Sequence, residues 1–386
     1  MKIPAILLLS AVLSIQIDSG NYIHSSGNLI NEDSLSTVTL TFVGDLMCHG
    51  PQFEYAQTGT DSFDFKPSFK EIKKYLNSSD LALGNLETTI SGREKRYSGY
   101  PLFNTPDEYL IALKDAGFDI LFTANNHSLD RGKQGLERTI AKINESGMTP
   151  IGSFRSQKDR DSVRIVEVKG FKIALLAYTY GLNGNYISQK DKFMINVIDT
   201  NLIKSDIASA RLKKADVVIV YLHFGDEYKR EPNIFQKNIV NKTIDYGADF
   251  IIGSHPHVIQ PAEYFTSTKN KIGRGIVAYS LGNFISNQRW RYSDAGIILN
   301  ISLTKQLLKG SVELSNISYI PTWVYKGKIG NKNEFVIIPA DTSIAKWPGY
   351  LSKNDSLKLF EVQRDVQSKM KKLELPPSKY LNEKNN

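Results

Sequence analysis

Six short apolar runs, each closing on a cluster of polar residues, constrain the fold of this 386-residue chain more than any other feature. They occupy 38–43, 81–83, 120–123, 217–222, 250–253 and 276–280. In order, they lead into Gly44-Asp45, Gly84-Asn85-Leu86-Glu87, Ala124-Asn125-Asn126-His127, His223, Ser254-His255-Pro256-His257 and Gly282-Asn283. Continuous apolar runs of this length, bounded by turn residues, are the pattern of strands buried on both faces. Helical patterns fall between them, at about 65–76, 106–117, 132–147, 199–214 and 232–247. Pro106 and Gly117 bracket the second of these, a first-turn proline and a terminating glycine. Strand alternating with helix predicts an α/β layered fold. From about residue 275 the chain turns strand-rich, with 296–303 and 311–320 as further strands. A last amphipathic helix, at about 354–373, is stopped by Pro376-Pro377.

Composition narrows the class. Apolar residues at 41% and charged residues at 23% are ordinary globular usage and exclude a disordered or fibrous chain. Cys48 is the single cysteine, which excludes a disulfide framework and any four-cysteine metal site. The 48 basic against 40 acidic residues give a net charge of +8, but the lysines are scattered. No dense basic block is interleaved with aromatics, so no nucleic-acid partner is expected. Lys2 precedes an apolar run at 3–15 that meets small and polar residues near Gly20. That is the layout of a secretory signal, and it is shorter than the roughly 20 apolar residues of a membrane span. Residues 1–20 are therefore expected to be a signal peptide or N-terminal anchor, with 21–36 as a linker. Export to the periplasm or cell envelope follows, with membrane association through the N-terminus if the segment is retained.

In open α/β sheets ligands sit outside the carboxyl ends of the strands. Five of the six histidines fall at such ends: His49, His127, His223, His255 and His257; His24 lies apart. Asp45, Glu87 and Asn126 join them there. Each alone has an ordinary reading as a turn, cap or core residue. Repeated at one strand end after another, they point to a metal or anion site, with imidazole and oxygen ligands that suit Zn, Fe, Mn or Ni. The His255-Pro256-His257 pair is expected on an extended segment, both rings to one side, stiffened by the proline. A shared carboxylate such as Glu87 suits a bridge between two metals.

Six motifs occur in order: Gly44-Asp45-Leu46-Met47, Gly84 to Glu87, Ala124 to Gly132, His223 to Tyr228, Gly253 to Val258, and Ser280 to Phe284. In these the chain resembles the CapA family of capsule and poly-γ-glutamate synthesis proteins, which is related to the calcineurin-like metallophosphatases. The resemblance covers about residues 38–290. It implies a four-layer α/β/β/α sandwich over 37–325, with a strand-rich C-terminal extension and final helix in 326–386. It also implies a site holding two divalent ions (Mn, Fe or Zn). Asp45 and His257 would bind the first metal, Glu87 would bridge, and Asn126, His223 and His255 would hold the second. His127 would be the general acid, oriented by Asp130. Asn85, Glu227, Tyr228 and Asn283 are expected at the substrate. The chain departs from the calcineurin-like signature in two places. The first-motif histidine stands four residues after Asp45, at His49, and Glu87 replaces a bridging aspartate.

The function implied is an exported metal-dependent hydrolase of capsule or envelope-polymer synthesis. It would act on a phosphoester or amide of an anionic polymer such as poly-γ-glutamate, or on a small phosphorylated substrate. The alternative is a non-catalytic polymer-binding or assembly component, working with a polymer synthase complex.

Overall fold

The structure, a computed structural model, describes residues 34–340 and 347–374. The expected signal or anchor segment, His24, most of the linker and the Pro376-Pro377 stop lie outside the described residues. No described helix is long and apolar enough to cross a membrane.

The chain lays down β1 (Leu35–Leu46), β2 (Leu81–Leu86), β3 (Ile120–Phe122) and β4 (Thr149–Ile151) in parallel. It then builds a second sheet from β5 (Arg164–Val168), β6 (Phe171–Thr179), β7 (Val217–His223), β8 (Phe250–Ser254), β9 (Ala262–Thr266) and β10 (Arg274–Ala278). The order there is β9-β10-β8-β7-β6-β5. The chain returns to the first sheet with β11 (Asn283–Ile285), which pairs in parallel with the tip of β1, Asp45 opposite Asn283. An antiparallel meander of β12 (Ala295–Gln306), β13 (Val312–Ile329) and β14 (Lys332–Pro339) completes it, in the order β14-β13-β12-β1-β2-β3-β4.

Burial on both faces explains the unbroken apolar runs. Val217, Ile219 and Tyr221 of β7 face the first sheet and share one core with Val38, Leu40 and Phe42 of its β1. Phe122 stacks on Tyr221 across this gap, ring centroids 4.0 Å apart. The alternate residues Val218, Val220 and Leu222 face outward onto α3 (Thr200–Leu212) and α4 (Ile234–Asp245). On the other side, Val43, Leu46 and Ala82 pack on α1 (Glu108–Ala116), and Ile143 of α2 (Gly132–Glu145) joins them. The architecture is the expected α/β/β/α sandwich. Burying each large apolar side chain contributes about 1.5–3 kcal/mol.

Three expectations are adjusted. The 65–76 pattern divides into a 3-10 turn, Lys66–Phe69, and a short helix, Lys73–Leu76. β5 and β6 were not among the expected strands, although β6 is buried along most of its length. β13 runs unbroken through residue 325, so the sheet continues past the position taken as the start of the extension. The final helix α5 (Lys353–Glu374) turns Leu359, Val362, Val366, Met370 and Leu373 into the inter-sheet core, and Lys372 pairs with Glu263 (2.5 Å).

Candidate metal centre

The parallel strands of both sheets end at the same pole, and their tips press together closely. A Cβ on Gly44 would lie 1.9 Å from the Gly282 carbonyl oxygen, and one on Gly253 would lie 2.1 Å from that of Tyr279. Only glycine permits this approach, which lets Asp45 N–H donate to the Gly282 carbonyl (3.0 Å). Asp45, Glu87, Asn126, His223, His255 and His257 are brought together there, all buried.

Two donor groups form around one carboxylate. Asp45, Glu87 and His257 make the first; Glu87, His223 and His255 make the second. Glu87 Oε1 lies 3.7 Å from both His257 Nε2 and His223 Nε2, and it has no hydrogen-bond partner. His255 Nδ1 is also buried without a partner. Asn126 Oδ1 lies 2.7 Å from His223 Nε2, its amide held by donation to Asn183 Oδ1 (3.0 Å). Buried orphan acceptors cost free energy unless something satisfies them.

The electrostatics have the same sense. Burial, then the Asp45 charge, pushes the Glu87 carboxyl well above its ordinary range. Burial also raises Asp45, but the hydrogen bond and charge of His257, with Asn85, outweigh it and hold Asp45 low. Burial, then His257, pushes His255 down to about 3, and burial with both neighbouring histidines pushes His223 well below its usual value. Neutral imidazoles keep a lone pair to donate, and an added cation would reverse the Glu87 penalty. The donor set therefore fits divalent metal, held by the residues just named.

Surrounding residues fix these donors. Asn85 Nδ2 donates to Asp45 Oδ1 (2.9 Å) and Glu87 Oε2 (3.1 Å), while its Oδ1 accepts from Asn125 (3.1 Å). Asn283 Oδ1 lies 3.1 Å from His257 Nδ1, as does Asp45 Oδ2. Ser254 Oγ lies 2.9 Å from His223 Nδ1. Asn85 and Asn283, expected at the substrate, are fully buried and hold the two carboxylates and the His257 ring. His49 is not brought to the other donors. It stands outside both donor groups, its Nδ1 accepting from the Asn287 backbone N–H (3.3 Å). The His255-Pro256-His257 segment is not extended: φ is +97 at His255 and +58 at His257, strained values typical of functional sites.

A cavity of about 220 Å³ opens beside the donors, lined by His49, His127, Glu227, Tyr228 and His257 among others. His127 Nδ1 lies 2.7 Å from Asp130 Oδ2, which also accepts from Phe103 N–H (2.8 Å). That leaves Nε2 as the nitrogen available to a bound molecule. Glu227 also lies within reach of His255 and His257. Sequence reasoning missed Asn125, Ser254, Tyr100 and Trp290. The first two stand inside recognised motifs; the two loop aromatics carry no local signal.

The family model described as bacterial capsule synthesis protein PGA_cap matches residues 39–288. The chain is 31% identical over 270 residues to the capsule biosynthesis protein CapA of Bacillus anthracis, covering 68% of this chain and 63% of that one. It is 30% identical over 272 residues to the PGA biosynthesis protein CapA of Bacillus subtilis (strain 168), covering 69% and 68%. Among solved structures it is similar to the NAD nucleotidase of Haemophilus influenzae, at 12% identity and TM-score 0.47, over 86% of this chain and 63% of that one. Similarity to a putative 5'-nucleotidase from Staphylococcus aureus has 11% identity and TM-score 0.45, over 85% and 58%.

Proposed function

The chain belongs to the bacterial capsule synthesis protein family PGA_cap, and from that premise we propose that it is an exported, metal-dependent hydrolase of capsule or envelope-polymer synthesis. One observation carries the reading: a buried carboxylate, Glu87, shared by two histidine-containing donor groups and left without a hydrogen-bond partner. Divalent ions bound there supply Lewis acidity to a substrate oxygen and activation of water. Asp45, Asn85 and Asn283 hold the donors in place, which removes reorganisation during the reaction. Asp130 anchors Nδ1 of His127, so the ring exchanges a proton with the leaving group through Nε2. Phe103 packs edge-on against that ring, centroids 4.7 Å apart, and keeps it aligned. The substrate is a phosphoester or γ-glutamyl amide of the polymer or its precursor.

The test is metal analysis of purified protein, then a screen of phosphomonoester, phosphodiester and γ-glutamyl substrates with and without Mn²⁺. Metal-dependent turnover in any class supports the hydrolase. Bound metal with no turnover, and full capsule formation by a His127→Ala strain, would favour a polymer-binding component. Export rests on the 3–15 apolar run, so mature protein from the native envelope should begin near residue 20 on N-terminal sequencing.

A further inference from the structure

The cavity beside the metal centre has walls that the hydrolysis itself leaves unused. Tyr100, Tyr228 and Trp290 reach its mouth from three separate loops and remain 73%, 38% and 51% exposed. Large rings left in water around a cavity mark a surface that a ligand covers. Tyr228 is firmly held. It sits at φ +64, its N–H donates to the Pro256 carbonyl (2.8 Å), and its hydroxyl accepts from Gln288 Nε2 (3.3 Å). Gln288 Oε1 accepts in turn from Asn283 Nδ2 (2.9 Å), the asparagine beside His257. The aromatic wall is thus tied by hydrogen bonds to the metal centre.

Three features select the ligand chemistry. Among the described residues no lysine or arginine lines the cavity, and the one carboxylate there, Glu227, repels a chain of repeated negative charges. The Tyr228 and Trp290 rings meet at 78° with centroids 5.0 Å apart, a corner instead of the parallel slot that clamps a flat heterocycle. Glu227 and Asn287 stand among the rings, so apolar faces and hydrogen-bonding edges are offered together. A puckered, hydroxylated, uncharged ring satisfies all three. We propose that this corner is a glycosyl subsite, holding a sugar ring whose phosphate faces the metal centre. The phosphate contact rests on the hydrolase reading; the sugar contact does not.

To test it, α-D-glucose 1-phosphate, inorganic phosphate and a short γ-glutamate oligomer are titrated by calorimetry against the zinc-loaded protein. Methyl α-D-glucoside is titrated against the chelated protein. Glucose 1-phosphate should bind about tenfold more tightly than phosphate, the scale of one good aromatic contact. Trp290→Ala should remove most of that gain while leaving zinc content and phosphate affinity unchanged. Trp290→Phe, which keeps a ring, should retain it. The subsite is overturned if glucose 1-phosphate gains nothing over phosphate, or if the Trp290-dependent gain belongs to the γ-glutamate oligomer. Failure of the hydrolase reading looks different: neither zinc nor phosphate binds. Methyl glucoside then decides, Trp290-dependent binding upholding the subsite and none overturning it.

Discussion

Glu87 belongs to two donor groups at once, so losing it and losing a histidine differ in kind. His223→Ala removes a donor from the second group only and should leave about one metal per chain, whereas Glu87→Gln should lower occupancy of both sites; mass spectrometry of metal content separates them. Equal losses from the two variants would mean that Glu87 is not shared. His127 has its Nδ1 on Asp130 and belongs to neither group, so His127→Ala should keep the metal content and cut turnover by roughly 10²–10⁴ on a substrate with a poor leaving group. If His127→Ala strips metal while His223→Ala does not, the two roles are exchanged. These side chains were legible because each stands at a strand end in a motif of distinct spacing. His49 was not, because proximity in sequence to Asp45 says nothing about which way a loop side chain turns.

At the scale of elements, the runs that read as strands are those buried on both faces, and β1 and β7 form where the sequence suggests. The His255-Pro256-His257 segment was misread because an extended backbone is only the local preference. Aiming two rings into the centre takes positive φ at both histidines, a tertiary demand that spacing does not reveal. The far ends of the strands are pinned by charge instead. Asp216, at the start of β7, takes Lys305 Nζ of β12 at 2.6 Å, Lys271 Nζ at 3.0 Å and the Lys172 N–H at 2.9 Å, which joins the two sheets. Burial raises its carboxyl, but Lys305, the Lys172 N–H and Lys271 outweigh that and hold it below the ordinary value of 3.8. A depressed folded pKa contributes stability above the unfolded value and loses it as pH falls through the folded one. Asp216→Asn should therefore cost about 2 kcal/mol in urea unfolding at neutral pH, and the difference should close in acid. A cost that stays constant across that range would show that charge is not what joins the sheets here.

Over the whole molecule, folding brings two sheets together at their carboxyl ends and gathers carboxylates and imidazoles in a buried pole. Without a cation that gathering opposes folding, since Glu87 is desolvated beside Asp45 and its Oε1 has no partner. A ligand that binds only the folded state adds RT ln(1 + [L]/Kd), about 4 kcal/mol at a thousandfold excess over Kd. Chelation should accordingly lower the melting temperature by about 5–10 °C. Glu87→Gln should invert the order. It keeps an acceptor for the Asn85 amide and removes the buried charge, so in chelator it should melt above the unsubstituted protein by the equivalent of about 1–3 kcal/mol. In saturating metal it should melt below, because the shared ligand is gone. Calorimetric scans of both proteins in both conditions give four melting temperatures, and the crossing is the diagnostic. If Glu87→Gln melts lower in chelator as well, the carboxylate is a structural anchor of the strand tips and the two-metal reading of this pole falls.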